Sequence, residues 1–483
     1  MAAPAASAAR CTSVINYASN SGKADELVAE LTSRGQRAVA VGRADVSDPD
    51  AVRALFDRAE DAFGSPPHVV VASAGLLNPK YPALADTTVE DFDAMFAVNV
   101  RGTFLVCREA ARRVPPNSGG RIVTFSSSIM GTLLPGYAAY TATNGAVEAM
   151  TRILAKEVAA KGVTANVVAP GPVRTELFFP GKDEAFVRKV EERSMGRIAE
   201  TTDVASVVKF LVSDAASWCV TPRGVKLASS QPWQSQTPRT RRRCSRSTAA
   251  SRSSQAAPAA SAARCPPTSP PSARVVVNYA SNSARADKLV AELASGGHQA
   301  VAVRADVSDP DAVHALFDRA EEAFGSPPHI VVCCAGVLSD KYPALADTSV
   351  DDFDTMFAVN VRGTFLVCRE AANRVPANSA GRIVTFSSSI VGTLLPGYAA
   401  YTATNAAVEA MTKILAKEVA AKGVTANVVA PGPVRTELFL AGKDEAFLRR
   451  VEQQSMGRIA ETTDVAPVVA FLASDAAAWV NGQ

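Results

Sequence analysis

The sequence predicts an α/β protein built from two doubly wound parallel-sheet domains in tandem. Three observations predict it. Short apolar runs alternate with stretches of helical periodicity, the pattern of a parallel sheet covered by helices on both faces. The whole alternation occurs twice, because residues 44–218 align with 305–479 at an offset of 261 with 27 differences in 175 positions. The length, 483 residues, suits two to four globular units.

In chain order, residues 13–18 read as an apolar strand and 23–34 as a helix with its apolar side chains on one face. Residues 38–41 read as the next strand. A helix follows over 49–63, with Asp48 as its N-cap and Pro49 at the first helical position, where a missing N–H costs nothing. Residues 68–73 form a buried strand, 89–113 a long helix and 121–127 another strand. Residues 137–161 read as a second long helix, 164–169 as a strand, and 183–195 and 202–213 as helices. The repeat carries these elements into the second copy. The expected domains are therefore 12–220 and 275–483.

Between them, residues 221–274 hold nine Arg, one Lys and no acid among many Ser, Ala and Pro, the composition of a disordered linker. Its charge of +10 leaves 40 basic against 47 acidic side chains elsewhere, a net of −7. The run Arg239–Arg243 has no partner motif and no interleaved aromatics, so nucleic acid is not an expected partner. A hydrophobic fraction of 47% excludes disorder throughout, and the absence of any 18-residue apolar run excludes a membrane-spanning helix. The eight cysteines show no CxxC spacing and the four histidines are scattered, which argues against a zinc site and a disulfide framework. Cys333 and Cys334 replace Ala72 and Ser73 of the first copy and read as small-residue packing. A reducing, cytoplasmic setting is expected. The Ala/Ser-rich start, with one Arg and no acid, keeps a chloroplast transit segment as the alternative.

Residues 122–128, Ile-Val-Thr-Phe-Ser-Ser-Ser, form a strand ending in serines, and Tyr140 lies 13 positions after Ser127 at the head of a helix. Asn99 sits in Ala-Val-Asn-Val-Arg-Gly, and Pro-Gly-Pro-Val-Arg-Thr spans 170–175. Together these motifs resemble the short-chain dehydrogenase/reductase family, over most of both copies, and most nearly its plant NADPH-dependent aldehyde or carbonyl reductases and 3-oxoacyl-carrier-protein reductases. The resemblance implies Rossmann-like domains that move hydride between a nicotinamide and a carbonyl or alcohol. It makes Tyr140 and Tyr401 the proton donors, Ser127 and Ser388 the groups that bind the substrate oxygen, and Asn99 and Asn360 holders of a relay water.

The resemblance also assigns cofactor contacts. Asp45 and Asp306 match the position that bonds adenine, with Val46 and Val307 beside them, and Gly75 and Gly336 stand in the loop after the next strand. Asn144 and Asn405, Pro170, Gly171, Val173 and Thr175, and their counterparts Pro431, Gly432, Val434 and Thr436, match the nicotinamide end. Tyr17 and Ser19, with Tyr279 and Ser281, lie at the strand end that meets the adenosine ribose. No acid stands there and Lys23 is near, which favours NADP(H) over NAD(H). The family also pairs its long helices, so the two copies, or two chains, are expected to associate through the helices bearing Asn99 and Tyr140.

Three departures bear on function. Tyr-x-x-x-Lys reads Tyr140-Thr-Ala-Thr-Asn144, and Tyr401 to Asn405 repeats it. A cation about 4 Å from the phenol is worth up to roughly 4 kcal/mol at an effective dielectric near 20, about three pKa units, so turnover is expected to be slowed. The strand and glycine-rich turn that seat the pyrophosphate are missing from both copies, which opens the sheet in its middle. The second copy stops before the family's last strand, whereas residues 224–228 are a candidate edge strand for the first. The leading reading is an NADP(H)-dependent reductase or alcohol dehydrogenase of impaired rate. The alternatives are a catalytically inactive binding or oligomerising protein and a degenerate gene product. Leu177, Phe178 and Phe179, with Leu438, Phe439 and Leu440, read equally as a pocket wall or as core.

Overall fold

The structure, a computed structural model, describes residues 12–17, 21–42, 44–194, 196–217, 225–226, 273–454 and 457–483. The leader, Ser19, the Arg239–Arg243 run and most of the expected linker lie outside the described residues.

Strands β1 (Thr12–Tyr17) and β2 (Arg37–Gly42) pair in parallel around the helix Ser21–Ser33 and form a two-stranded sheet of their own. Strands β3 (Val69–Ala72), β4 (Arg121–Phe125), β5 (Thr164–Ala169) and β6 (Val225–Lys226) form a separate parallel sheet in that order. The second copy splits in the same way, into β7 (Arg274–Tyr279) with β8 (Gln299–Arg304), and β9 (Ile330–Cys333), β10 (Arg382–Phe386) and β11 (Thr425–Val429). Each break falls where the missing strand was expected. Beside it, Val69 and Val71 stay 43% and 42% exposed while Val70 and Ala72 on the opposite face are buried. Helical cover is thus one-sided at β3, where a parallel strand ordinarily has both faces buried.

Local chemistry explains the element ends. Asp48 Oδ1 accepts from the Asp50 N–H at 2.9 Å to open the helix Pro49–Phe63, and Gly64 closes it at φ 69°. Three expectations need correction. The long helix expected over 89–113 is Val89–Phe96 and Thr103–Arg113 joined by a π-helical turn, Ala97–Gly102, that contains Asn99. The strand expected to reach 127 ends at Phe125, which leaves the serines on the loop beyond it. The linker expected over 221–274 loses 225–226 to the edge strand expected over 224–228, where Val225 and Lys226 register against Val168 and Ala169. In the second copy the chain end serves that edge: Gly482 N–H donates to the Ala426 carbonyl at 2.9 Å, and Val428 N–H to that of Gln483 at 2.8 Å.

The two copies share one hydrophobic core. Helices Ala138–Val158 and Ala399–Val419 pack along a stripe of small residues, and a Cβ on Gly145 would lie 3.0 Å from the Ala406 carbonyl oxygen. Phe92 stacks on Phe365 and Phe104 on Phe353, each pair at 4.0 Å and 7°. Arg101 forks onto the Asp354 carboxylate at 2.8 and 2.9 Å, and Arg362 reaches Asp93 at 2.8 Å.

Candidate active site

In the first copy, the loop after β4, the head of the helix Ala138–Val158 and the segment after β5 open onto one cavity of about 2120 Å³. Gly75, Asn99, Ser127, Tyr140, Asn144, Pro170, Gly171, Val173 and Thr175 all line it. So do Ser13 and Leu31, from the detached two-stranded unit. Its volume exceeds the ~300–1,000 Å³ of an ordinary ligand pocket because the cleft is continuous with the gap in the sheet.

Asn99 is 7% exposed and committed to the loop after β3. Its Oδ1 accepts from the Leu76 N–H at 2.6 Å, and its Nδ2 donates to the Leu76 carbonyl at 2.9 Å and to Thr143 Oγ1 at 3.2 Å. Asn360 repeats this on Val337 and Thr404 at 2.7, 2.9 and 3.2 Å. The loop carrying Gly75 or Gly336 is thereby pinned. At the end of β4, Ser127 Oγ accepts from the Ile129 N–H at 3.3 Å, as Ser388 does from Ile390. Beneath, Ser126 donates to the buried Glu148 at 2.9 Å, and Arg152 closes on the same carboxylate at 2.7 Å.

Burial raises the Tyr140 phenol, and the side chains of Asn144 and Ser127 offset only part of the rise. Tyr401 is likewise raised by burial, with Asn405 opposing. Asn144 Nδ2 donates back to the Tyr140 carbonyl at 2.7 Å, and Asn405 to that of Tyr401 at the same distance. The amide therefore serves its own helix. The residue that stands at the lysine position brings no cation to the phenol, and both tyrosines titrate above the ordinary range.

The candidate adenosine contacts sit apart from the first-copy cavity. Tyr17 packs across β2, where a Cβ on Gly42 would fall 2.1 Å from its hydroxyl. Asp45 Oδ1 accepts from Ser47 N–H at 2.9 Å and Ser47 Oγ at 2.8 Å, and Asp306 does the same with Ser308. Val46 and Val307 pack on Gly102 and Gly363, where an added Cβ would meet them at 2.7 and 2.8 Å. In the second copy Tyr279 and Ser281 line a small cavity of about 210 Å³ with Arg285. Lys23 bonds Glu176 at 2.5 Å, and its counterpart Arg285 bonds Glu437 at 3.0 Å. The residues that line the cavity around Tyr140, Asn144 and the 170–175 segment fit the nicotinamide end of a dinucleotide. No glycine-rich turn cradles a pyrophosphate among the described residues.

Sequence reasoning missed two features of this site. Lys182, Tyr81 and Tyr137 form a cluster in which Lys182 and Tyr137 line the cavity, and Lys417 of the second copy lines the first copy's cavity. Neither belongs to a local motif, so spacing carried no signal for them. Of the ambiguous apolar segment, Leu177 and Phe178 line the cavity. Cys333 packs with its Sγ 3.9 Å from that of Cys368. Among the described residues no group of three or more metal-binding side chains gathers, and no helix is long and apolar enough to cross a membrane.

A parallel α/β sheet that delivers a strand-end serine and a helix-borne tyrosine to one cavity puts the molecule among the Rossmann-class oxidoreductases. The family profile described as Enoyl-(Acyl carrier protein) reductase matches residues 1–222 and again 269–483. The chain belongs to the short-chain dehydrogenase/reductase family, in two tandem copies. Over 221 residues it is 48% identical to an NADPH-dependent aldehyde reductase-like protein, chloroplastic, of Arabidopsis thaliana, covering 44% of this chain and 82% of that one. Over 218 residues it is 50% identical to a short-chain type dehydrogenase/reductase of Picea abies, covering 44% and 80%. A crystal structure of a short chain dehydrogenase from Burkholderia cenocepacia J2315 in complex with NADP is 31% identical, with a TM-score of 0.40 over 44% of this chain and 83% of that one.

Proposed function

We propose that the chain is an NADP(H)-dependent oxidoreductase that interconverts a small carbonyl compound and its alcohol, at a rate reduced by the loss of the lysine beside the tyrosine. The observation that carries this is the meeting of Ser127, Tyr140 and the Pro170–Thr175 segment at one cavity. Bound NADPH would supply the hydride. Ser127 Oγ and Tyr140 Oη hold the carbonyl oxygen, and Tyr140 Oη gives its proton to the developing alkoxide. Burial keeps that phenol protonated at neutral pH, so the donor is present. With asparagine in place of the lysine no cation opposes the rise that burial causes, so the phenol is a weaker acid than a lysine-flanked one, which is the source of the reduced rate. Asn99 acts by holding the loop that carries Gly75.

The NADPH-dependent relatives and the cation at the end of β1 support NADP(H) over NAD(H). Two relatives are named chloroplastic, which favours a plastid over the cytosol, and imaging of a fluorescent fusion decides between them. The copies take domain limits near 12–220 and 275–483, extended by the edge pair Val225–Lys226 and by Arg274 of β7, and pair through their long helices. A second reading, an inactive protein that keeps only the shared core, is favoured by the absent pyrophosphate cradle. NADPH titration by fluorescence, run beside an NADPH-consumption assay with aromatic aldehydes, separates the two. Saturable binding with slow, Tyr140-dependent consumption is expected. A cooperatively melting chain that binds no NADPH overturns the enzymatic reading.

A further inference from the structure

We infer that Lys182, and Lys443 in the second copy, anchor an acidic oxygen on the substrate, so that the preferred substrates are aromatic carbonyl compounds bearing a carboxylate or an ionised phenol. The inference rests on the oxidoreductase reading above and names its substrate class.

Lys182 lines the same cavity as Ser127 and Tyr140. Its ammonium lies 4.3 Å from the Tyr81 ring centre and 4.6 Å from that of Phe178, and Tyr81 packs against Tyr137 at 4.9 Å. Its hydrogen bonds run to the Tyr81 hydroxyl and the Phe178 carbonyl. An ammonium has three donors, so one is left to face a ligand. No carboxylate pairs with it among the described residues, and burial alone pulls its pKa down to about 8. A half-buried cation with no counter-ion among the described residues, packed on aromatic rings and lining the cavity of Ser127 and Tyr140, fits a flat anion-bearing ligand.

The box is built rather than incidental. Tyr81 donates to the Pro180 carbonyl at 2.7 Å, which ties two segments 99 positions apart. Gly181 has φ +74°, and a Cβ there would fall 1.9 Å from the Pro79 carbonyl oxygen, so only glycine allows the two to meet. Tyr81 itself has φ 50°, a left-handed conformation that is costly for a bulky residue and persists where the surroundings impose it. The second copy reproduces the lysine–aromatic box: Lys443 Nζ bonds the Tyr342 hydroxyl at 2.5 Å and the Phe439 carbonyl at 2.6 Å, and Tyr342 has φ 48°. Neighbouring positions have meanwhile diverged, with Pro79, Phe179 and Pro180 replaced by Asp340, Leu440 and Ala441.

The test compares binding of 4-carboxybenzaldehyde and 4-methylbenzaldehyde to the full chain by calorimetry, between pH 6.5 and 9.5. The carboxylate probe is expected to bind at least tenfold more tightly at pH 7. That preference should fall as pH rises through about 8, because the lysine loses its charge there. Lys189, Glu192, Arg193, Lys209 and Lys417 line the same cavity as Lys182, Lys417 with its pKa lowered by burial, so the Met pair is what assigns the preference to Lys182 and Lys443. Tyr81, Tyr137 and Tyr140, with Tyr342, Tyr398 and Tyr401, are all shifted upward from the ordinary phenol value, and in the second copy Asp340 lies near Tyr342. The pair Lys182→Met/Lys443→Met should abolish the preference, and Lys182→Arg/Lys443→Arg should keep most of it. Equal binding of the two probes, a pH-independent preference, a preference that survives the Met pair, or no binding of either overturns the inference. NADPH consumption is read separately: probes that bind with the expected preference yet are never reduced overturn the oxidoreductase reading and leave the anion site standing.

Discussion

The carboxylate of Glu418 accepts the backbone N–H of Gly136 at 2.9 Å, across 282 positions of sequence and from one copy to the other. Its second oxygen takes the Leu84 N–H at 2.8 Å, and the adjacent Lys417 donates to the Leu133 carbonyl at 2.6 Å. Gly136 immediately precedes the helix head that bears Tyr137 and Tyr140. Glu157 and Lys156 return the arrangement on Gly397, Leu345 and Leu394. Each copy therefore holds the segment that aims the other's tyrosine.

Replacing Glu418 with Gln leaves one backbone N–H facing an amide NH₂, and an unpaired buried donor costs about 1–3 kcal/mol. Burial lifts both Glu157 and Glu418 above their ordinary value of 4.5. A raised folded-state pKa means stability that is full below the unfolded value and declines as pH climbs through the folded one. The gap between the native chain and Glu157→Gln/Glu418→Gln is thus expected to be widest near pH 4.5 and to narrow toward pH 8. Urea melts at the two pH values measure it.

Asn144→Lys with Asn405→Lys should restore a cation one turn from each phenol. With up to about three pKa units at stake, a rise of at least tenfold in NADPH consumption is expected, with the limb assigned to the phenol moving to lower pH. An unchanged rate would assign the slowness to the missing pyrophosphate cradle instead.

Tyr140→Phe and Tyr401→Phe, made singly, apportion turnover between the copies. Tyr140→Phe is expected to remove the turnover of the first copy, where Ser127, Tyr140 and the 170–175 segment meet at one cavity, and Tyr401→Phe that of the second. NADPH titrations of the same variants should stay within twofold of the native chain, because neither hydroxyl is part of the core.

Glu176 neutralises Lys23, and Glu437 neutralises Arg285. A ribose phosphate must displace those carboxylates to reach the cation. Exposed pairs of this kind are worth about 0.2–1 kcal/mol, so Glu176→Gln/Glu437→Gln should tighten NADPH by up to about fivefold. NADH, which lacks the phosphate, should be unaffected in the same competition experiment.

Much of this was legible in the residues alone. Alternating periodicities marked the strands and helices, and serine, tyrosine and asparagine at their spacings marked the cavity wall. The missing strand announced a sheet broken in two, as β1–β2 and β3–β6 now stand. The π turn at Ala97–Gly102 was not legible, because a helix with one residue too many in a turn keeps nearly the same apolar pattern.

Sequence by itself determined the order of strands and helices, the family motifs and the want of a lysine, each written in neighbours a few positions apart, and the tandem repeat, written in the 261-position offset. Tertiary structure alone decided which distant groups meet. Lys182 reaches the Tyr81 hydroxyl across 101 positions, and Glu418 reaches Gly136 across 282. The first contact arises from folding within one copy, and the second from packing two copies on one core. No periodicity within a segment records them, because the energy that brings them together belongs to the whole shared core rather than to any one element.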